Sequence, residues 1–144
     1  MAIELSTEIR ALLAGPNLAT LASIRPDGSP AAHPVWIGLS ADDHLLICTG
    51  ETTPKVRNVQ HDPRVALSVT ALENPYEECM IRGTVIVVRN DNELVDMDPI
   101  SMVYLGTPFP YRGGPRVTIE IEPTWAEYRK LPFDPRPPAP VATA

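Results

Sequence analysis

The stretch LLICTGETTPKVRN, Leu45–Asn58, decides how the chain is organised. An apolar run ends at Thr49-Gly50, and a basic segment opens just after Thr53-Pro54. The first half reads as a strand. The second half reads as the start of a short helix: Thr53 is a good N-cap residue, and Pro54 suits the first helical position, where a missing N–H costs nothing. Val56 and Val59 then share the inward face, and Asp62-Pro63 stops the helix.

The flanking segments are short and turn-rich. Ser6 is a candidate N-cap for a first helix with Ile9, Leu12 and Leu13 on one face, ended by Gly15-Pro16. Asn17–Ile24 reads as a strand, RPDGSP as a tight turn, and AAHPVWIGL (31–39) as the returning strand. Pro34 inside that segment cannot donate to a ladder, so it demands a sheet edge or a bulge. HLLICTG (44–50), RVALSVTA (64–71) and YEECMIRGTVIVV (76–88) read as three further strands. A further helix is expected within residues 90–106, with a break near Asp98-Pro99. PRVTIEIEP (115–123) alternates cleanly, with Val117, Ile119 and Ile121 on one face, and TWAEYRKL (124–131) extends it or forms a seventh strand. Many short strands, tight turns and little helix imply an antiparallel barrel or sandwich. Residues 1–131 form one domain on this reading, and the Pro-rich residues 132–144 form a tail that is disordered or draped over the surface.

Composition narrows the function. The 144 residues carry a net charge of −6, which argues against general nucleic-acid or anionic-membrane binding. The longest aliphatic run, Val85–Val88, is far short of the ~20 residues a membrane helix needs. The N-terminus shows no signal-peptide pattern, so a cytoplasmic protein is expected. Cys48 and Cys79 read as buried free thiols. His33, His44 and His61 lack metal-ligand spacing, and no metal site is expected. Glu73, Glu77, Glu78 and the acidic run Asp91–Asp98 read as a solvated face. No catalytic acid–base pair stands out, and there is no Walker or GxGxxG loop.

The mouth of the Pro54 helix is the exception. Free N–H groups and a partial positive charge make a helix start a seat for phosphate or carboxylate. Lys55 and Arg57 are electrostatically misplaced in the first turn of an isolated helix, and an anion would remove the conflict. Thr49, Thr52 and Thr53 add hydroxyls, and Gly50 permits close approach. The residues equally fit a solvated helix whose cations pair with Glu51. A chain poor in catalytic side chains yet holding an anion seat suits a protein whose cofactor does the chemistry.

Three segments in this order, LATLASIRPDGSPAAHPVWI, LLICTGETTPKVRNVQHDPRVALSV and VYLGTPFPYRGGPRVTIEIEP, resemble the split-barrel flavin- and deazaflavin-binding proteins. These are relatives of pyridoxamine 5′-phosphate oxidase, and the likeness is strongest to the small actinobacterial branch that uses coenzyme F-420. It covers about Leu5 to Arg129. The combination of DGSP, PVW and TPKVRN carries it; any one alone is weak. The resemblance implies a mainly β, six- or seven-stranded antiparallel split barrel with short peripheral helices. It implies a homodimer with cofactor sites at the interface, closed by the partner through Tyr76 or the Tyr104–Tyr111 segment. The cofactor phosphate is placed against Thr49, Gly50, Thr53, Lys55, Arg57 and Asn58. The flat ring is placed along His33, Pro34, Val35 and Trp36, with Trp36 as core residue, ring wall or both. The expected cofactor is F-420, with FMN as the alternative. The expected activity is hydride transfer to an unsaturated small molecule; the rivals are an FMN-dependent enzyme and a flavin, deazaflavin or haem carrier.

Overall fold

The computed structural model describes residues 3–136; the end of the Pro-rich tail, 137–144, lies outside the described residues. In chain order the elements are α1 (Thr7–Ala14), β1 (Leu18–Ile24), β2 (Pro30–Val35), β3 (Gly38–Leu39), β4 (Leu45–Gly50), α2 (Pro54–His61), β5 (Arg64–Ala71), β6 (Asn74–Asn90), α3 (Met97–Leu105) and β7 (Arg116–Lys130).

All seven strands belong to one antiparallel sheet in the order β2-β1-β5-β6-β7-β4-β3. β2 and β3 stand at its opposite edges, yet only Trp36 and Ile37 separate Val35 from Gly38. Three Cα–Cα steps span at most ~11 Å. The two edges must therefore meet, and the sheet curls into a barrel split at this seam. The segment expected to be one strand over 31–39 is thus two: Val35 ends a strand paired to β1, and Gly38 begins one paired to β4. Pro34 sits in β2, which pairs with β1 alone, so its missing N–H costs no ladder bond.

The strands fill the barrel by alternation. Val65, Leu67 and Val69 of β5 point inward, facing Ile47, Ile81, Ile119 and Ile121 from β4, β6 and β7. Ile9, Leu12 and Leu13 of α1 join the same core. Ser6 Oγ caps α1 by accepting from the Ile9 N–H at 3.2 Å. In the β1–β2 hairpin Gly28 takes φ +88, a conformation that strains other residues, and Asp27 Oδ1 accepts from Ser29 N and Oγ.

β7 runs unbroken from Arg116 to Lys130 because β6 accompanies it along its whole length, taking up the mismatch at irregularities beside Gly83 and Val85. At Gly83 a Cβ would lie 2.5 Å from Ile121 Cγ2 and 2.8 Å from Glu122 O, so glycine is what lets β7 approach.

α3 is not interrupted at Asp98-Pro99. It starts just before, at Met97, which puts Pro99 in the first turn, where proline is tolerated. Asp91 makes that start possible: its carboxylate accepts from Asp96 N and Met97 N, both at 3.0 Å, and it is 4% exposed. The acidic residues are therefore largely committed side chains rather than a solvated face. Asp96 binds Arg89, Asp98 binds Arg112, Glu77 accepts from Tyr128, and Glu78 pairs with Arg129.

Cys48 and Cys79 are free thiols, the latter buried. Among the described residues, no helix is long and apolar enough to cross a membrane, and no group of three or more His, Cys, Asp or Glu is placed to hold a metal.

Candidate functional site

The seam opens onto a groove of about 760 Å³, within the ~300–1,000 Å³ usual for small-molecule sites. Its sides come from the start of β1, the end of β2, Cys48 of β4, Lys55 of α2, Tyr104 of α3, Phe109 and Arg116. One wall is aromatic. Trp36 stacks on Tyr104 with centroids 5.1 Å apart and planes 9° from parallel, and meets Phe109 edge-on at 6.1 Å. Tyr104 is fixed by its hydroxyl, which donates to Asn17 O at 2.8 Å and accepts from Ile37 N at 3.2 Å. Burial pushes its pKa up, so it stays protonated at neutral pH. Beside this wall β2 presents an unpaired backbone edge.

The other end of the groove is cationic. Lys55 is half-buried at the mouth of α2, and burial lowers its pKa. Neither it nor Arg116 makes an ion pair among the described residues. Among the described residues, two buried side-chain nitrogens, His33 Nδ1 and Arg116 Nε, have no hydrogen-bond partner. The pKa of His33 is held down by burial first and then by the charges of Lys55 and Arg25. Half-buried cations without carboxylate partners, and a buried guanidinium nitrogen without an acceptor, gain when an oxyanion binds.

Of the residues singled out in the sequence, Pro34, Val35, Trp36 and Lys55 line the groove together. His33 lies within the field of Lys55 but not on the lining. Thr49, Gly50 and Thr53 form the turn that feeds α2, where the two threonine hydroxyls meet locally: Thr53 Oγ1 donates to Gly50 O at 3.0 Å and lies 3.3 Å from Thr49 Oγ1. Thr53 makes no side-chain cap bond to the helix. Arg57 is exposed. Asn58 turns inward, where its Nδ2 donates to buried Ser23 Oγ at 3.1 Å; it fastens α2 to β1. Arg64 forks onto neighbouring Asp62 at 3.0 and 2.7 Å and adds no charge to the groove.

Four lining residues escaped the sequence reading in this role. Arg116 carries no motif. Cys48 faces the groove with its thiol pushed up to about 12 by burial, so it is no nucleophile at neutral pH. Tyr104 and Phe109, expected to close a neighbouring protomer's site, lie against Trp36 of their own chain. Tyr76 lies edge-on to Phe133, with ring centres 5.2 Å apart.

A curled antiparallel sheet, split where an open edge strand meets a cationic helix mouth, defines a split-barrel protein. The sequence profile of the pyridoxamine 5′-phosphate oxidase family matches residues 5–130, and the chain belongs to that family. Its structure is similar to that of an F420 reductase, with a TM-score of 0.75 and 28% identity over 87% of this chain and 98% of that one. It is also similar to a conserved hypothetical protein of Mycobacterium tuberculosis, with a TM-score of 0.72 and 18% identity over 96% and 95% of the two chains. A pyridoxamine 5′-phosphate oxidase-related, FMN-binding protein of Nostoc punctiforme gives a TM-score of 0.61 and 15% identity over 82% and 76%. At these lower identities the likeness is one of fold. No curated protein matches the chain in sequence.

Proposed function

We propose that the protein is an oxidoreductase that holds coenzyme F-420 in this groove and passes a hydride to an unsaturated small organic molecule. The observation that carries the reading is the joining, in one groove, of Lys55, which has no ion-pair partner among the described residues, with a flat aromatic wall along an open strand edge. The likeness to the F420 reductase supports the choice of deazaflavin over FMN.

Reduced deazaflavin supplies a hydride from its ring carbon. The chain supplies placement. The turn Thr49–Thr53, the mouth of α2 and Lys55 seat the phosphate, with Arg57 at the rim and Asn58 holding the helix in position. His33, Pro34, Val35 and Trp36 would present backbone groups and an indole face to the ring and so orient it toward substrate. Held orientation of this kind lowers the barrier without acid–base side chains. Tyr104 Oη is already donating to Asn17 O, so the accompanying proton is left to Tyr111 or water.

A second copy of the chain completes the site in this proposal. Leu18 and Leu72, 60% and 55% exposed, sit on the groove lining and give an apolar surface for it.

A non-catalytic carrier is the second reading, favoured by a groove whose thiol is held protonated and whose lining tyrosine is fully bonded. Fluorescence titration with F-420 and with FMN, followed by reduced-cofactor absorbance against a panel of enones and quinones, separates these. Tighter F-420 binding with cofactor oxidation supports the proposal. Tighter FMN binding assigns a flavin enzyme, binding without oxidation a carrier, and no binding of either overturns both readings.

A further inference from the structure

We infer that Arg116 is the second cation of an oxyanion seat shared with Lys55, recognising a phosphoryl or carboxylate group in the groove. Its position is set by the sheet. Arg116 pairs with Gly50 across the β4–β7 ladder, and the N–H of Glu51 donates to Pro115 O at 3.1 Å. The arginine is thereby tied to the same turn that opens α2 and carries Lys55. Its backbone is pinned further: its N–H donates to Asn92 Oδ1, and its carbonyl accepts from Asp91 N, both at 2.8 Å.

The side chain is oriented and unspent. Its guanidinium carbon lies 4.7 Å from the centre of the Phe109 ring, and that ring meets Trp36 edge-on. Stacking on an aromatic face leaves the in-plane donors of the guanidinium available for a planar oxyanion. Nε is buried with no acceptor, and no carboxylate pairs with the group among the described residues, although five other arginines are ion-paired. Gly50, opposite, has no side chain to occupy the space between the turn and the arginine.

The seat stands on this geometry; the proposed function enters only in saying whose oxyanion fills it, cofactor or substrate. Inorganic phosphate is the first probe. At matched ionic strength against chloride, phosphate raises the thermal midpoint of the wild-type chain. Arg116→Met removes the guanidinium while keeping a long apolar side chain, and weakens phosphate binding about tenfold or more, the loss expected for a charge-assisted contact. Arg116→Lys keeps the charge without the planar fork and loses about threefold or more. If Arg116→Met does not fold, Arg116→Lys decides. Wild-type protein indifferent to phosphate, or a folded variant binding it as tightly as wild type, overturns the inference.

FMN and riboflavin titrations then name the owner. Weaker FMN binding in Arg116→Met with riboflavin unchanged assigns the cofactor phosphate. Lost phosphate protection with FMN binding unchanged assigns a substrate anion. A phosphate effect that depends on Arg116 in a protein that binds neither flavin nor F-420 keeps the seat and removes the cofactor reading.

Discussion

Trp36 and Tyr104 lie face to face, 5.1 Å between ring centres, although one belongs to the seam between β2 and β3 and the other to the last turns of α3. The Tyr104 hydroxyl is what joins them, bridging Asn17 O and Ile37 N. The groove wall is therefore built before any ligand arrives.

Tyr104→Phe keeps the stack and removes the bridge. Ile37 is 2% exposed, so its N–H loses its acceptor in a place water reaches poorly. An unmet buried donor costs about 1–3 kcal/mol. Urea unfolding is expected to show that loss, while cofactor affinity changes less than in Tyr104→Leu, which removes the wall as well.

Lys55→Ala separates binding from folding. Losing a charged hydrogen bond to phosphate weakens F-420 or FMN binding by ~1.5–3 kcal/mol, about 10- to 150-fold. The ligand-free protein should be as stable as wild type or slightly more so, because burial already disfavours the ammonium. Equal dissociation constants for variant and wild type would remove Lys55 from the seat.

Asn58→Ala has the opposite signature. It strips buried Ser23 Oγ of its partner and loosens α2 from β1. Stability falls by about 1–3 kcal/mol, and any loss of cofactor affinity follows from displacement of α2. If the urea midpoint does not move, the Asn58–Ser23 bond is not holding the helix.

Glu120 ties stability to pH. His44 Nδ1 lies 2.6 Å from its Oε2, and Arg89 binds its Oε1. The bond to His44 and then that to Arg89 hold its carboxyl below its ordinary value of 4.5. The folded state therefore releases this proton more readily than the unfolded one, so the contribution is fully present above pH 4.5 and fades as pH falls through the lowered value. Unfolding midpoints measured from pH 7 to pH 3 should drop over that acidic window, less steeply in Glu120→Gln. Parallel curves for the two proteins would show that the network contributes nothing.

Local chemistry made much of the fold legible from residues alone. The Asp-Gly turn set the β1–β2 hairpin, Pro54 set the start of α2, Ser6 set that of α1, and Pro34 demanded an edge. Each acts within a few residues, through a missing N–H, a side-chain cap or a backbone angle that glycine tolerates. Lys55 could be singled out because a cation at a helix start is conspicuous in sequence; Trp36 is pointed to only by the family resemblance.

Other features waited for the tertiary structure. The break at Trp36-Ile37 exists because two sheet edges meet there, a fact about which strands pair rather than about those residues. The bond from Asn58 to Ser23 of β1 is made between segments 35 residues apart and has no local signal. Asp91 looked solvated until the α3 start folded onto it. Arg116 had no local signal, since Gly50 and Phe109 reach it only through β4–β7 pairing and the loop after α3. Short-range sterics and hydrogen bonding are written in neighbouring letters; burial and charge pairing depend on segments far apart in the chain, and only closure of the barrel brings them together.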